Sequence, residues 1–354
     1  MKKTPLVLIL ILLVGLPACG TSTPLPTPNP ASTTLVDTFP EPSPVPQAAS
    51  TDVPETSPSQ PMFAPAGLRV VYLRDGNLWS WTETGGSSQL TGTGDMSTAR
   101  LSHDGQLLAF MRGRDVWTVR MDGTDARLWV TLEKEGASLL FAPDTSFLAI
   151  STRDHIELVD LTSGNSTRVV TYPAVPDGYY PEVVWTPDAS GFKTIIPPQA
   201  ESGPAEMLFV FPNGTIASLA KFQMLPLSES APFISPDGGY VIYAARMSAG
   251  KESLYLMDSS GATKPYGESM ENVRAYGWLP DSTHFAYGGG NSLGGYMGSV
   301  GGLPTVIPVS LPPKLRWVDA NHYLAIDNEN LILGDLNGGR IPIDTSVQDY
   351  DFLP

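Results

Sequence analysis

The chain has a single cysteine, four histidines and few charged side chains. One cysteine can build neither a disulfide framework nor a cysteine-based zinc site. The histidines, His103, His155, His284 and His322, have no metal-ligand spacing to one another. They read as surface or strand residues, and no metal or cofactor is expected. Lys and Arg number 21 against 36 Asp and Glu, for a formal charge of −15, and no basic run occurs. Binding a polyanion requires clustered cations, so nucleic acid is excluded as a partner. The acidity reads as a solubility device. Charged residues make up only 16% of the 354 positions, whereas Gly and Pro each occur 34 times. That balance suits an all-β protein rich in turns better than a helical one.

The first twenty residues carry an address. Met1-Lys2-Lys3 is a short cationic segment, and Leu6 to Leu16 is an apolar run. At about eleven residues the run is short of the roughly 20 that span a bilayer, and it suits a secretory signal. Leu16-Pro17-Ala18-Cys19 follows. This segment resembles the lipobox of bacterial lipoproteins, with an aliphatic residue at −3, a small residue at −1 and the Cys at +1. Pro17 at −2 departs from the usual pattern. The resemblance implies cleavage before Cys19, residues 1–18 being the signal peptide, and a thioether between Cys19 and diacylglycerol. Two acyl chains anchor stably where one does not. Membrane lipid is therefore the expected partner of Cys19. An ordinary secretory signal with a chance cysteine is the alternative. The expected location is the cell membrane or outer membrane, facing the periplasm or exterior.

Residues 19–65 form the next unit. From Gly20 to about Pro65 the chain is a low-complexity run of Pro, Ser and Thr. Proline fixes φ and removes backbone donors, and there is little apolar surface to bury, so the run is expected to be a disordered tether. At about 3.1 Å per residue in polyproline II it could reach on the order of 140 Å.

Residues 66–354 repeat. An apolar or aromatic residue precedes a short Asp turn, and a β-rich run follows. The turns are Leu101-Ser102-His103-Asp104-Gly105, Phe141-Ala142-Pro143-Asp144, Trp185-Thr186-Pro187-Asp188 and Ile234-Ser235-Pro236-Asp237-Gly238. Trp278-Leu279-Pro280-Asp281 and a degenerate Trp317-Val318-Asp319-Ala320 complete the set. Spacings of roughly 40–50 residues are those of four-stranded propeller blades. Asp and Gly supply the turn conformations, and Pro ends the preceding strand. Each unit is thus a four-stranded meander that buries its faces only against neighbours. The pattern resembles the propellers of TolB and of the prolyl oligopeptidase family, with Ile234–Gly238 and Trp185–Asp188 the closest matches. The resemblance implies a β-propeller and says little about function. No hydrolase domain is expected beside it.

The first unit begins mid-blade: Leu68 to Leu73 reads as a second strand with no turn before it. The end, Tyr350-Asp351-Phe352-Leu353-Pro354, matches the start of Trp278-Leu279-Pro280. The C-terminus can supply the missing inner strand, with Phe352 and Leu353 the side chains expected to be covered. This gives seven blades closed by strands from both ends, with six or eight the alternatives.

The remaining motifs carry little chemistry. Gly290-Asn291-Ser292-Leu293-Gly294 matches a nucleophile-elbow pattern but sits in a glycine-rich blade without the strand-turn-helix context it needs. Asp327-Asn328-Glu329-Asn330 lacks the ligand alternation of a calcium loop and reads as a turn. The turn aspartates Asp104, Asp144, Asp188, Asp237 and Asp281 serve turn hydrogen bonding. Trp79, Trp81, Trp117, Trp185, Trp278 and Trp317 fill spaces between blades. The leading expectation is a monomeric, non-enzymatic module that binds a protein, peptide or glycan at one mouth of the ring. The alternative is a hydrolase or lyase, or an accessory subunit of one, using the channel. The sequence shows no constellation of ionisable groups for it.

Cys19→Ala should abolish incorporation of labelled lipid and leave the chain unprocessed or soluble. Normal lipid labelling of that variant would exclude the anchor.

Overall fold

The computed structural model describes residues 64–176, 178–198, 203–247, 251–289, 295–312 and 315–354. Cys19, the tether up to residue 63 and Gly290–Gly294 lie outside the described residues. Those described hold 28 strands and no helix.

The strands form seven four-stranded antiparallel sheets. In order from the inner strand outward, blade 1 is Val347–Leu353, Arg69–Arg74, Asn77–Thr82 and Gly86–Gln89. Blade 2 is Met96–Leu101, Leu107–Arg112, Asp115–Arg120 and Arg127–Thr131. Blade 3 is Ser138–Phe141, Phe147–Ser151, His155–Asp160 and Ser166–Thr171. Blade 4 is Val183–Trp185, Phe192–Ile196, Ala205–Val210 and Ile216–Phe222. Blade 5 is Phe233–Ile234, Tyr240–Arg246, Glu252–Asp258 and Thr263–Met270. Blade 6 is Arg274–Trp278, His284–Gly288, Gly295–Ser299 and Thr305–Ile307. Blade 7 is Arg316–Trp317, His322–Asp327, Asn330–Asp335 and Arg340–Asp344. This is the seven-bladed propeller the repeat predicts.

Alternation along the second strands explains the packing. Val71 and Leu73 enter the apolar cluster between blades 1 and 2, while Val70 and Tyr72 enter the cluster between blades 7 and 1. Leu108 and Phe110 face blade 1, whereas Ala109 and Met111 face blade 3. The same division recurs at Val241 and Tyr243 against Ile242 and Ala244. Successive side chains point to opposite faces of a sheet, and both faces of these sheets are covered. The interior of a blade's second strand is therefore mostly apolar, as a strand buried on both sides must be, with Lys193 and Thr194 of blade 4 the exceptions. Seven apolar clusters result, one at each blade junction.

The turns are stapled by their own side chains. Ser102 Oγ donates to Asp104 Oδ1 at 2.6 Å, and the Gln106 amide donates to the same oxygen at 3.0 Å. Ser235 and Asp237 repeat this in blade 5, again at 2.6 Å, with the Gly239 amide at 2.8 Å. Asp144, Asp188, Asp281 and Asp319 each accept the backbone amide two residues on. The hydroxyl of Ser102 and that amide hold the Asp104 carboxyl below its ordinary range. Asp327 to Asn330 is a two-residue hairpin with positive φ at Asn328 and Glu329, the geometry of a type I′ turn. The aspartates and this segment are turn elements, as the sequence indicates.

Ring closure is the structural demand that remains. Val347–Leu353 pairs antiparallel with Arg69–Arg74, so the last strand is the inner strand of the first blade. Its buried side chains are Val347, Tyr350 and Asp351, whereas Phe352 and Leu353 are only half-buried. The expectation for the last two is corrected in degree: both still pack against apolar clusters, Phe352 towards blade 7 and Leu353 towards blade 2. Leu353 lies so close to the blade 2 turn that a Cβ on Gly105, whose φ is +68°, would stand 2.6 Å from its Cδ1. Tyr350 donates its hydroxyl to the Leu324 carbonyl of blade 7 at 2.8 Å.

Deleting the last seven residues should lower the melting temperature markedly or prevent folding. The burial of Tyr350 alone contributes roughly 1.5–3 kcal/mol, and two blade junctions lose a wall, against about 5–15 kcal/mol for a whole domain. Thermal melts of the truncated and full chains decide this, and equal melting would disprove the closure.

Candidate functional site in the central channel

The inner strand of a blade has one edge paired to its own sheet and one edge free. A free edge is a liability unless it is satisfied. Here neighbouring blades satisfy it with side chains. Asp349 of blade 1 accepts the Ala99 amide of blade 2 at 3.1 Å, and Asp351 accepts the Leu101 amide at 2.8 Å. Thr98 donates to the Ala137 carbonyl of blade 3 at 3.3 Å, and Ser151 donates to the Pro181 carbonyl at 2.8 Å. The Ile234 amide of blade 5 donates to Glu182 Oε2 at 3.4 Å, and Trp278 Nε1 donates to the Phe233 carbonyl at 3.0 Å. Arg316 of blade 7 donates to the Tyr350 carbonyl of blade 1 at 3.3 Å.

These contacts gather charge around one cavity. It measures about 410 Å³ and is bordered by blades 1, 2, 3, 4 and 7. Two ion pairs stand at its wall, Arg100–Asp349, both of which line it, and Arg316–Asp351, in which Asp351 is buried behind the lining Arg316, both at 2.6 Å. Asp351 is buried, so this pair gains from a reduced dielectric and is held further by the Leu101 amide. Burial works against the Arg316 charge, but Asp351 and its neighbours more than offset that and move its pKa upward. Arg316 also lies 5.0 Å from the centre of the Phe352 ring.

Glu182 is the fifth charged residue and differs from the others. Among the described residues no Lys, Arg or His nitrogen reaches ion-pair distance of it. Protein surrounds it inside the ring, and its side chain stays open to the channel. Enclosure pushes its carboxyl up to about 7, while the Ile234 amide and the more distant Arg316 pull it back. Channel water screens the carboxylate and moderates the shift.

The cavity continues outward. A mouth of about 500 Å³ shares Arg100, Ser138, Gln348 and Asp349 with it and extends past Ser97 and Thr98 to Tyr180. Beyond Tyr180 a cleft of about 170 Å³ runs between Glu133–Gly136 and Thr152–His155. Gly136, at φ +86°, leaves room for the Tyr180 phenol, which a Cβ there would strike. His155 borders this cleft, buried, with Nδ1 2.6 Å from Asp154 Oδ1 and 3.0 Å from Thr152 Oγ1.

The sequence-derived candidates do not assemble into a site. His103 and His284 are exposed, His322 is bonded within its own turn at Asp319, and His155 is a strand residue. Among the described residues no group of three or more His, Cys, Asp or Glu could hold a metal. Trp185 stacks on Phe147 of blade 3 at 6.2 Å, and Trp278 packs on Tyr240 of blade 5 at 6.1 Å, so both bridge blades as expected. The channel groups themselves were missed. Their signal lies in the repeat register. Arg100, Arg316 and Asp351 stand one residue before Leu101, Trp317 and Phe352, the apolar residue of each repeat. Glu182 and Asp349 stand three residues before Trp185 and Phe352. These positions face the axis.

No family model matches the sequence, and no curated protein matches it. Solved structures do resemble it. A functionally unknown protein from Desulfotomaculum acetoxidans superposes with a TM-score of 0.56 at 9% identity, over 81% of this chain and 99% of the other. An oligogalacturonate lyase from Vibrio parahaemolyticus gives 0.53 at 13% identity, over 78% and 85% respectively. TolB from Acinetobacter baumannii gives 0.46 at 13% identity, over 81% of this chain and 66% of TolB, a superposition too loose to carry an argument. At these identities the likeness shows a shared propeller fold alone.

Glu182→Gln should reveal the pH dependence. Between about pH 4.5 and 7 the folded chain holds a proton that the unfolded chain has released, so ionisation of Glu182 costs stability as pH rises through that window. The variant should melt about 2 °C higher than the parent at pH 8 and together with it at pH 4.5. Equal melting at both pH values would show that the carboxyl is not perturbed.

Proposed function

We propose that the chain is a lipid-anchored extracytoplasmic protein whose propeller binds an extended ligand at the mouth of its channel. The continuous run of cavity, mouth and cleft carries this reading. The mouth shares lining residues with the cavity on one side and the cleft on the other, and together the three suit a polymer segment better than a compact metabolite. Cys19 supplies the anchor and residues 19–65 the tether in this reading, with the ligand a protein, peptide or glycan. Two of the three channel carboxylates serve the ring, because Asp349 and Asp351 each hold a backbone amide and an arginine. That favours recognition over catalysis.

A hydrolase or lyase is the second reading, and one observation favours it. Glu182 is a wetted carboxyl with a pKa near 7, suited to exchanging protons at neutral pH. It lacks a second uncommitted acid or base among the described residues lining the cavity. Turnover of a ligand that stops in Glu182→Gln would replace the first reading by this one.

A photo-crosslinking side chain at Ser97, in the mouth, should give adducts in intact cells, and one at Ser88, on the outer strand of blade 1, should not. Adducts absent at Ser97, or equal at both sites, would defeat the reading.

A further inference from the structure

We infer that the channel cavity receives a Lys or Arg side chain of an extended peptide, its cationic head on Glu182 and its methylene stem along Leu140, Val183 and Ile326. This rests on the binding reading above and names the chemistry of its ligand.

Three observations lead there. The first is charge. The channel holds two guanidinium groups against three carboxylates, and each guanidinium is already engaged at 2.6 Å by an aspartate. Among the described residues Glu182 alone of these carboxylates has no cation at ion-pair distance, Arg316 acting on it only from further off, so the site is complementary to an added cation and not to an anion. Asp351 neutralises the nearby Arg316, which limits its repulsion of such a cation. The second is the wall. Leu140, Val183 and Ile326 border the same cavity as Glu182. Lys and Arg carry a charge on an apolar stem and bury the stem along such surfaces. An amino sugar would set hydroxyls against this aliphatic part of the wall, where a methylene stem is the better fit. The third is room for the rest of the chain. The mouth past Ser138 and Thr98 continues to Tyr180 and the cleft beyond, so flanking residues have a path out of the ring.

Binding couples to protons. Among the described residues the other ionisable groups around Glu182 are Arg316, with Asp351 paired to it, Arg100, Asp349, Tyr350 and Tyr179. The empty site holds Glu182 partly protonated at neutral pH, and an arriving cation favours the carboxylate. Binding below about pH 7 therefore releases a proton, and affinity rises from pH 6 to pH 8.

The test is titration calorimetry with the full-length chain in detergent micelles. The probes are acetyl-Ala-Ala-Lys-Ala-Ala-amide, the same peptide with norleucine for lysine, and tetraglucosamine. The lysine peptide should bind at least about tenfold more tightly than the norleucine peptide and lose about tenfold in Glu182→Gln. Its affinity should rise with pH in the parent and stay flat in the variant. Glu182→Gln melting with the parent at pH 4.5 shows that its fold is intact. No binding of the lysine peptide, equal binding of the two peptides, or an unchanged affinity in Glu182→Gln would overturn the inference. So would tighter, Glu182-dependent binding of tetraglucosamine. Each of these leaves the binding reading standing if Ser97 still crosslinks, whereas loss of that crosslink removes both.

Discussion

Closure of the ring by the C-terminal strand is the constraint on which the rest of this structure depends. A propeller blade is stable only between neighbours, and a ring has no end blade to cap. The last strand completes the first sheet, with Tyr72 opposite Tyr350 and Val71 opposite Asp351. Tyr350 then reaches blade 7 through Leu324, while Asp349 and Asp351 reach blade 2 through backbone amides. On the outer side of the same junction, Asp344 of blade 7 accepts from Tyr72 at 2.6 Å and pairs with Arg74 at 2.7 Å. One strand thus links both neighbours of its blade, and without it their facing apolar clusters would open to water.

The same device creates the site. Free inner edges need partners, and short inner strands of as few as two residues leave many backbone groups to be met by side chains. Carboxylates suit exposed amides, and arginines suit those carboxylates. Polar groups placed for closure consequently line the axis. Glu182 shows where the structural role ends. Among the described residues its one hydrogen bond is a long contact from the Ile234 amide, and its raised proton affinity records a charge that the fold leaves unbalanced. Such a residue costs stability when ionised.

The sequence determined the architecture of residues 66–354 because the physical causes are local. Asp turns, proline strand ends and apolar second strands fix the blade. The roughly 40–50-residue period fixes the repeat, and the unmatched halves at Leu68 and Tyr350 fix the closure. The apolar second strands were legible for the same reason: burial on both faces removes the polar alternation from Leu107–Arg112 and Tyr240–Arg246. Only the tertiary structure decided the channel. Arg100, Glu182, Arg316, Asp349 and Asp351 stand up to 251 positions apart in the chain and look like ordinary solvated charges. They meet because blades 1, 2, 4 and 7 bring their inner strands to one axis. Which of them are neutralised and which is left without a counter-ion depends on distances of a few ångströms between blades, and no local pattern encodes those.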